Sequence, residues 1–289
     1  MKVNVYKVNS FAKTKEGGNA AGVVLDADSL SEKDMRKVSG ILGFSETAFV
    51  LQSNVADFKV RFFTPTQEVD LCGHATVAAF HTMASLGLLK PGLYKQETKA
   101  GILGIAIKED YSVMMSQPIP VFSETIDKKE IATSLNLKAS QLSEDLPSQV
   151  VSTGLRDIMI PVKNMKILND IKPDMDKIKD ISQKYNAVGY HVFTLESLHG
   201  AHAHCRNFAP LYDIPEEAAT GTSNGALGCY LYHYGKISSG QASDIVFEQG
   251  YSMNKPSEIL VSLTVRENEI LEVKVGGNAM NLTLIEVEI

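Results

Sequence analysis

The 289-residue chain is poor in cysteine: Cys72, Cys205 and Cys229 are its three, and no two of them form a C-x-x-C pair. So sparse and odd-numbered a set excludes a disulfide-framed secreted scaffold and fits a reducing compartment. The chain also lacks any apolar run approaching the roughly 20 residues that span a bilayer. Its start, "MKVNVYKVNSF", alternates polar and apolar residues where a signal peptide has a continuous apolar core. The expectation is a cytoplasmic protein with no membrane partner. Positive charge is short too, with 28 Lys and Arg against 34 Asp and Glu and both signs interspersed. That offers nucleic acid no basic stripe. What the chain does have is 44% hydrophobic residues and enough length for one large domain or two ordinary ones. Small neutral or anionic metabolites remain as the expected partners.

Residues 3–9 alternate as a strand, "GGN" at 17–19 is a turn, and "AGVVLD" at 21–26 returns as a second strand. Ser31 and Asp34 make a capping-box start for a helix whose Met35, Val38, Ile41 and Leu42 are spaced for one face, and Gly43 ends it. "TAFVLQ", "FKVRFFT" and the pair "GILGIAIKED" and "YSVMMSQP" are further strands. Pro118 and Pro120 mark a joint. Beyond it, "PDMDKIKDISQKY" at 173–185 reads as a helix with an acidic first turn and with Met175, Ile178 and Ile181 buried.

The chain then repeats itself. "RFFTP" at 61–65 precedes Gly73 and a helix, and "RNFAP" at 206–210 precedes Gly221 and a helix. Laying Gly73 on Gly221 sets "GHATVAAFHTMASLG" over "GTSNGALGCYLYHYG", and both stretches end on a glycine, Gly87 and Gly235. Two copies are too few for a solenoid, so two similar lobes are expected, each with a helix entered through a glycine turn. The unpaired N–H groups and positive dipole end of such a helix attract a carboxylate. Two helix starts facing each other would form a cleft for a carboxylate-bearing substrate.

Cys72 and His74 flank Gly73. A lone cysteine commonly packs as a small hydrophobe and a lone histidine makes one hydrogen bond, while a helix start can lower a thiol pKa and favour neutral imidazole as a proton carrier. The residues alone leave both open. A third grouping, "HGAHAHC" with His199, His202, His204 and Cys205, has metal-ligand chemistry, but in a strand His202 and His204 share a face while Cys205 points away. A strand leading into "RNFAP" is the simpler reading, and no metal is expected there.

The blocks "FSETAFV" at 44–50, "RFFTPTQEVDLCGHATVAAF" at 61–80, "STGLRDIMIPV" at 152–162, "RNFAP" with "ATGTSNGALG" up to 228, "FEQGYSMNKPSEILV" and "VGGNAM" resemble the phenazine-biosynthesis PhzF-like family over nearly the whole chain. The resemblance implies the α+β fold of diaminopimelate epimerase: two pseudo-symmetric lobes, each a β-barrel-like sheet around a central helix. The lobes are expected at 1–120, joined by a C-terminal strand near 276–289, and at 121–275. It further implies a homodimer that works without metal or organic cofactor. The name-giving member isomerises trans-2,3-dihydro-3-hydroxyanthranilate with a glutamate of its SET motif as acid/base. Carried over, that glutamate is Glu46, assisted by His74 and Glu217. The substrate carboxylate would rest on backbone N–H groups of Gly73, Gly221, Thr222 and Ser223, with Asn19 nearby.

Departures from the family pattern are local. "EEAATG" puts Glu217 where Asp is usual and Ala218 where Pro is usual, Thr222 replaces a common Ser, and "GGNAAG" keeps Asn19 but relaxes its turn. One extra methylene at Glu217 displaces its carboxylate by about an ångström, enough to alter substrate positioning. A two-thiol racemase is the runner-up. The counterpart of Cys72 is Thr220, though, and its hydroxyl is far too weak a base at neutral pH. A non-catalytic small-molecule binding protein is the remaining alternative.

Overall fold

A computed structural model describes residues 1–289. The first elements are β1 (Lys2–Ser10), β2 (Asn19–Val24), α1 (Glu32–Leu42), β3 (Thr47–Leu51), β4 (Phe58–Phe63), β5 (Glu68–Val69), α2 (Gly73–Ser85), β6 (Gly92–Thr98), β7 (Gly101–Ile107) and β8 (Val113–Gln117). There follow β9 (Val121–Ile126), α3 (Lys128–Ser134), β10 (Ser148–Ser152), β11 (Arg156–Pro161), α4 (Met165–Asp170), α5 (Met175–Lys184), β12 (Gly189–Thr194) and β13 (Ala203–Ala209). The chain closes with β14 (Ile214–Glu217), α6 (Gly221–His233), β15 (Ile245–Gln249), β16 (Ser257–Arg266), β17 (Glu269–Gly277) and β18 (Ala279–Glu288). Two compact units result: residues 1–116 with 276–289, and residues 117–275. No helix is long and apolar enough to cross a membrane.

In the first unit β1 pairs antiparallel with β18 and with β2, β2 runs parallel to β3, β3 antiparallel to β4, β4 parallel to β6, and β6 and β7 form a hairpin. The second unit repeats the same succession of senses. There β10 is antiparallel to β9 and β11, β11 parallel to β12, β12 antiparallel to β13, β13 parallel to β15, and β15 antiparallel to β16. A short strand branches antiparallel from the equivalent place in each, β5 from β4 and β14 from β13.

Each sheet packs on one helix with no polar face: residues 74–80 of α2 and 223–231 of α6 are all buried. A helix apolar all round belongs inside a core. The other helices cover a single side. Around α1, Met35 and Val38 join Val5, Phe49 and Phe63, and the rings of Phe49 and Phe63 meet edge to face at 5.5 Å. The Ser31–Asp34 capping box forms, with Gly43 left-handed at φ 66° to stop the helix. Ile41 does not join the buried face and is 55% exposed, because the stripe follows Met35, Val38 and Leu42 at three- and four-residue steps. Pro173 likewise lies outside its helix. Asp174 is the N-cap of α5 and accepts from Lys177 N, so Pro173 ends the preceding loop.

Close strand packing fixes particular glycines. A Cβ at Gly189, the first residue of β12, would lie 2.1 Å from Phe208 O and 2.9 Å from Ala209 Cα, whereas one at Gly240 meets nothing within 4 Å. Gly189→Ala is therefore expected to lower the unfolding free energy by about 2 kcal/mol or more through forced backbone separation. Gly240→Ala should stay within about 0.5 kcal/mol of the parent, and urea denaturation reads both.

Candidate active site

The approaches to α2 and α6 are held by one construction used twice. Arg61 on β4 binds Glu68 on β5 in a bidentate pair, Nε to Oε1 at 2.7 Å and Nη2 to Oε2 at 2.8 Å, and its guanidinium lies 5.0 Å over the Phe63 ring. Arg206 on β13 binds Glu216 on β14 at 2.8 and 2.9 Å and lies 4.9 Å over Phe208. These are the Arg and Phe of the two R-x-F-x-P copies. A forked, planar guanidinium fixes both distance and orientation, so each short strand delivers the chain to its helix at a set position. Both helices then start alike. Their N-caps, Cys72 (φ -142°, ψ 115°) and Thr220 (φ -129°, ψ 105°), are extended and cap with no side-chain hydrogen bond. Neither N-cap side chain caps the first turn, and the dipole there favours an anionic oxygen.

In the first unit the start of α2 meets Glu46, in the loop ahead of β3. Glu46 O accepts from Gly22 N at 3.3 Å, and a Cβ on Gly22 would come within 2.9 Å of Leu42 Cδ1 and Thr47 Oγ1, so the SET segment lies tightly on β2. The Glu46 side chain is 16% exposed, with His74 Nε2 3.3 Å from its Oε2. Oε2 accepts no hydrogen bond. Burial pushes the carboxyl up to about 7, against a smaller downward pull from the hydrogen bond of the Cys72 thiol. Cys72 Sγ in turn lies 3.4 Å from His74 Nδ1 and 4.0 Å from Nε2. His74 itself is held by its backbone, since Ser10 Oγ donates to its carbonyl at 2.6 Å. Asn19 opens β2 opposite Ser10 and is buried.

One oxygen, one sulfur and one imidazole nitrogen from these three residues lie within 4.8 Å of one another, a donor set that zinc favours. Their directions argue otherwise. An ion on imidazole sits in the ring plane about 2.0–2.1 Å from one nitrogen and needs a thiolate at about 2.3 Å. Sγ stands off both lone-pair lines, nearer Nδ1, while the carboxylate oxygen is at Nε2. The group is a hydrogen-bonding cluster around a carboxyl.

In the second unit the start of α6 carries a buried chain of directed hydrogen bonds. Asn207 Nδ2 donates to His191 Nδ1 at 3.2 Å, so the His191 proton is on Nε2, which donates to Asn224 Oδ1 at 3.3 Å. Asn224 Nδ2 donates to Gln249 Oε1 at 2.7 Å, Gln249 Nε2 to Thr220 Oγ1 at 3.1 Å, and Thr220 Oγ1 to Glu217 Oε2. At the other end Asn207 Nδ2 donates to Ser223 Oγ at 3.2 Å and Ser223 Oγ to Asp157 Oδ2 at 2.7 Å. Burial holds His191 down at about 4, hence neutral, and pushes Asp157 up to about 7, with the charge of Glu217 adding to the rise.

Of the residues expected from sequence, Glu46 and His74 come together in the first unit, joined by Cys72. Gly73 opens α2. Glu217, Gly221, Thr222 and Ser223 gather at the start of α6, but the Ser223 side chain is committed to Asp157, and the Thr222 carbonyl accepts from Thr153 Oγ1 at 3.3 Å. Asp157, His191, Asn207 and Gln249 were missed. Asp157 did carry a signal, as the one acid in the apolar strand "RDIMIPV". In "HGAHAHC", His204 Nδ1 is 2.8 Å from Glu248 Oε2, and His202 Nδ1 accepts from Val246 N.

A carboxyl whose proton affinity is higher folded than unfolded keeps its proton in the native state over a window in which the unfolded chain has lost it. For Glu46 that window runs from about 4.5 to about 7. Stability is therefore lost as pH rises through it, by up to about 3 kcal/mol at pH 8. Glu46→Gln abolishes that loss. The expected outcome is a melting temperature that exceeds the parent's by more at pH 8 than at pH 5, measured by thermal denaturation at both.

The model of a phenazine biosynthesis-like protein family matches residues 8–283. An uncharacterized isomerase of Clostridium acetobutylicum is 39% identical over 295 residues, covering 96% of each chain. The trans-2,3-dihydro-3-hydroxyanthranilate isomerase of Pseudomonas chlororaphis is 28% identical, covering 94% of this chain and 95% of its own. Among solved structures, a PhzF-family phenazine biosynthesis protein of Bacillus anthracis superposes over all of both chains with a TM-score of 0.90 and 32% identity. A hydroxyproline epimerase from Agrobacterium vitis shares the fold alone, with a TM-score of 0.64 and 14% identity over 99% of this chain and 91% of that one. Matched along nearly its whole length, the chain belongs to the phenazine biosynthesis-like PhzF family and is an isomerase with the epimerase-like α+β fold.

Proposed function

We propose that this isomerase moves a hydrogen between carbon atoms of a small, carboxylate-bearing metabolite, with Glu46 as its acid/base and with no cofactor. The observation that carries the reading is the Glu46 carboxyl. Desolvation brings it to about 7, and a general acid/base works best when its pKa lies near the operating pH. In the first step the Glu46 carboxylate takes a proton from a substrate carbon, and the C–H electron pair enters the adjacent unsaturated system. In the second, the protonated Glu46 returns that proton to a different carbon as the electrons shift, so no atom or electron is gained or lost. His74, 3.3 Å away, donates a hydrogen bond to developing negative charge or holds a polar substrate group.

The first-turn N–H groups at Gly73, and those at Gly221, Thr222 and Ser223, are suited to a substrate carboxylate. Glu217 offers a second charged contact, oriented by Thr220. The relative from Pseudomonas chlororaphis, named for its action on trans-2,3-dihydro-3-hydroxyanthranilate, makes that compound the first substrate to test. Glu217 and Ala218 in the usual Asp-Pro place favour a related cyclic or amino-acid-like carboxylate instead. A cytoplasmic homodimer is the expected working form.

Incubation with that compound and a panel of such carboxylates in deuterated water, followed by mass spectrometry, should show deuterium entering a substrate carbon. Glu46→Gln should lower the rate by about a hundredfold or more. Binding without exchange by the parent protein would mark a non-catalytic binder. Because the first step needs the carboxylate, kcat/KM should rise as pH passes upward through about 7.

A further inference from the structure

The duplicated helix starts differ at one position that the proton-transfer reading leaves unused: the N-cap is Thr220 before α6 and Cys72 before α2. Thr220 uses its hydroxyl on the neighbouring carboxylate, Glu217. Cys72 uses its thiol on Glu46 and on the imidazole of His74. The three groups of the first unit therefore close a triangle in which each touches the other two. A thiol is a weak donor, so it can fix the place of a carboxyl while stabilising its ionised form less than a hydroxyl would. Burial raises the proton affinity of the Glu46 carboxyl and this thiol lowers it. Cys72 and His74, both from the start of α2, each bring a titratable atom within 4.8 Å of the Glu46 carboxylate. Oε2 is buried, accepts no hydrogen bond and faces His74 Nε2 at 3.3 Å.

We propose that Cys72 is a positioning residue whose thiol holds the Glu46 carboxyl beside His74 and sets the pH at which that carboxyl releases its proton. The catalytic meaning of this role rests on Glu46 being the acid/base, but the titration itself requires no substrate. Cysteine at this N-cap thus trades capping strength, which Ser or Thr would supply, for a soft contact to the carboxyl.

The test is a pH titration of the Glu46 side-chain carboxyl by 13C NMR in the full chain, the resonance being assigned by its loss in Glu46→Gln. Removing the donor in Cys72→Ala should move the midpoint up by about half to one pH unit. Cys72→Ser, with a stronger donor in nearly the same place, should move it down. An unmoved midpoint in Cys72→Ala, or an upward move in Cys72→Ser, overturns the proposal. If the alanine variant does not fold, the serine variant decides alone: a downward move supports the role, and an unmoved or raised midpoint overturns it. A parent midpoint near 4.5 would instead sink the acid/base reading of Glu46. A parent midpoint near 7 that neither variant shifts would sink the role of Cys72 and leave that reading intact.

Discussion

The constraint on which the rest depends is the burial of α2 and α6 on every side over residues 74–80 and 223–231. Neither helix has a polar face, so each sheet has to wrap around it, and the helix N-terminus is the place where backbone polar groups stay without intrahelical partners. That end must be entered by a segment of fixed length and direction. The Arg61–Glu68 and Arg206–Glu216 pairs supply this, each stacked on the phenylalanine two residues along its own strand. These pairs are partly buried and bidentate, the geometry in which an ion pair contributes orientation as well as energy. The chemistry near each helix start inherits its precision from them.

Both units place an acid next to the helix start and raise its proton affinity to about 7 by desolvation, Glu46 in one and Asp157 in the other. The surroundings then separate their roles. Asp157 accepts from Ser223 and ends a buried chain of hydrogen bonds in which every donor has one direction, with a neutral His191 within it. Such a network is rigid, and a single broken member leaves buried groups unsatisfied. Glu46 is held more loosely, by a thiol and beside an imidazole, with one oxygen free of hydrogen bonds. A group that must gain and lose a proton fits the second setting better than the first.

Much was legible in the sequence because it lies in local pattern. The capping box at Ser31 and Asp34, the glycine stop at Gly43, the two glycine-led helices of equal length and the α+β fold follow from spacing, turn chemistry, self-similarity and family motifs. Where local reading failed, side-chain placement had overridden it. Ile41 had helical spacing but missed the buried stripe, and Pro173, read as part of α5, sits ahead of the true cap, Asp174.

For the site, the sequence by itself determined which residue types stand at the helix starts. Its family motifs implied Glu46 as acid/base with His74 assisting, and its repeat showed that Thr220 stands where a second thiol would be. Tertiary structure alone decided what those groups meet. Glu46 is 26 residues before Cys72 in the chain, and no periodicity relates them; only the packing of the SET segment on β2 brings the carboxyl to the start of α2. Likewise Asp157 and Ser223 are 66 residues apart and bonded at 2.7 Å. Proton affinity depends on burial and on the donors within a few ångströms, and those are properties of the folded neighbourhood, which a linear order of residues does not contain.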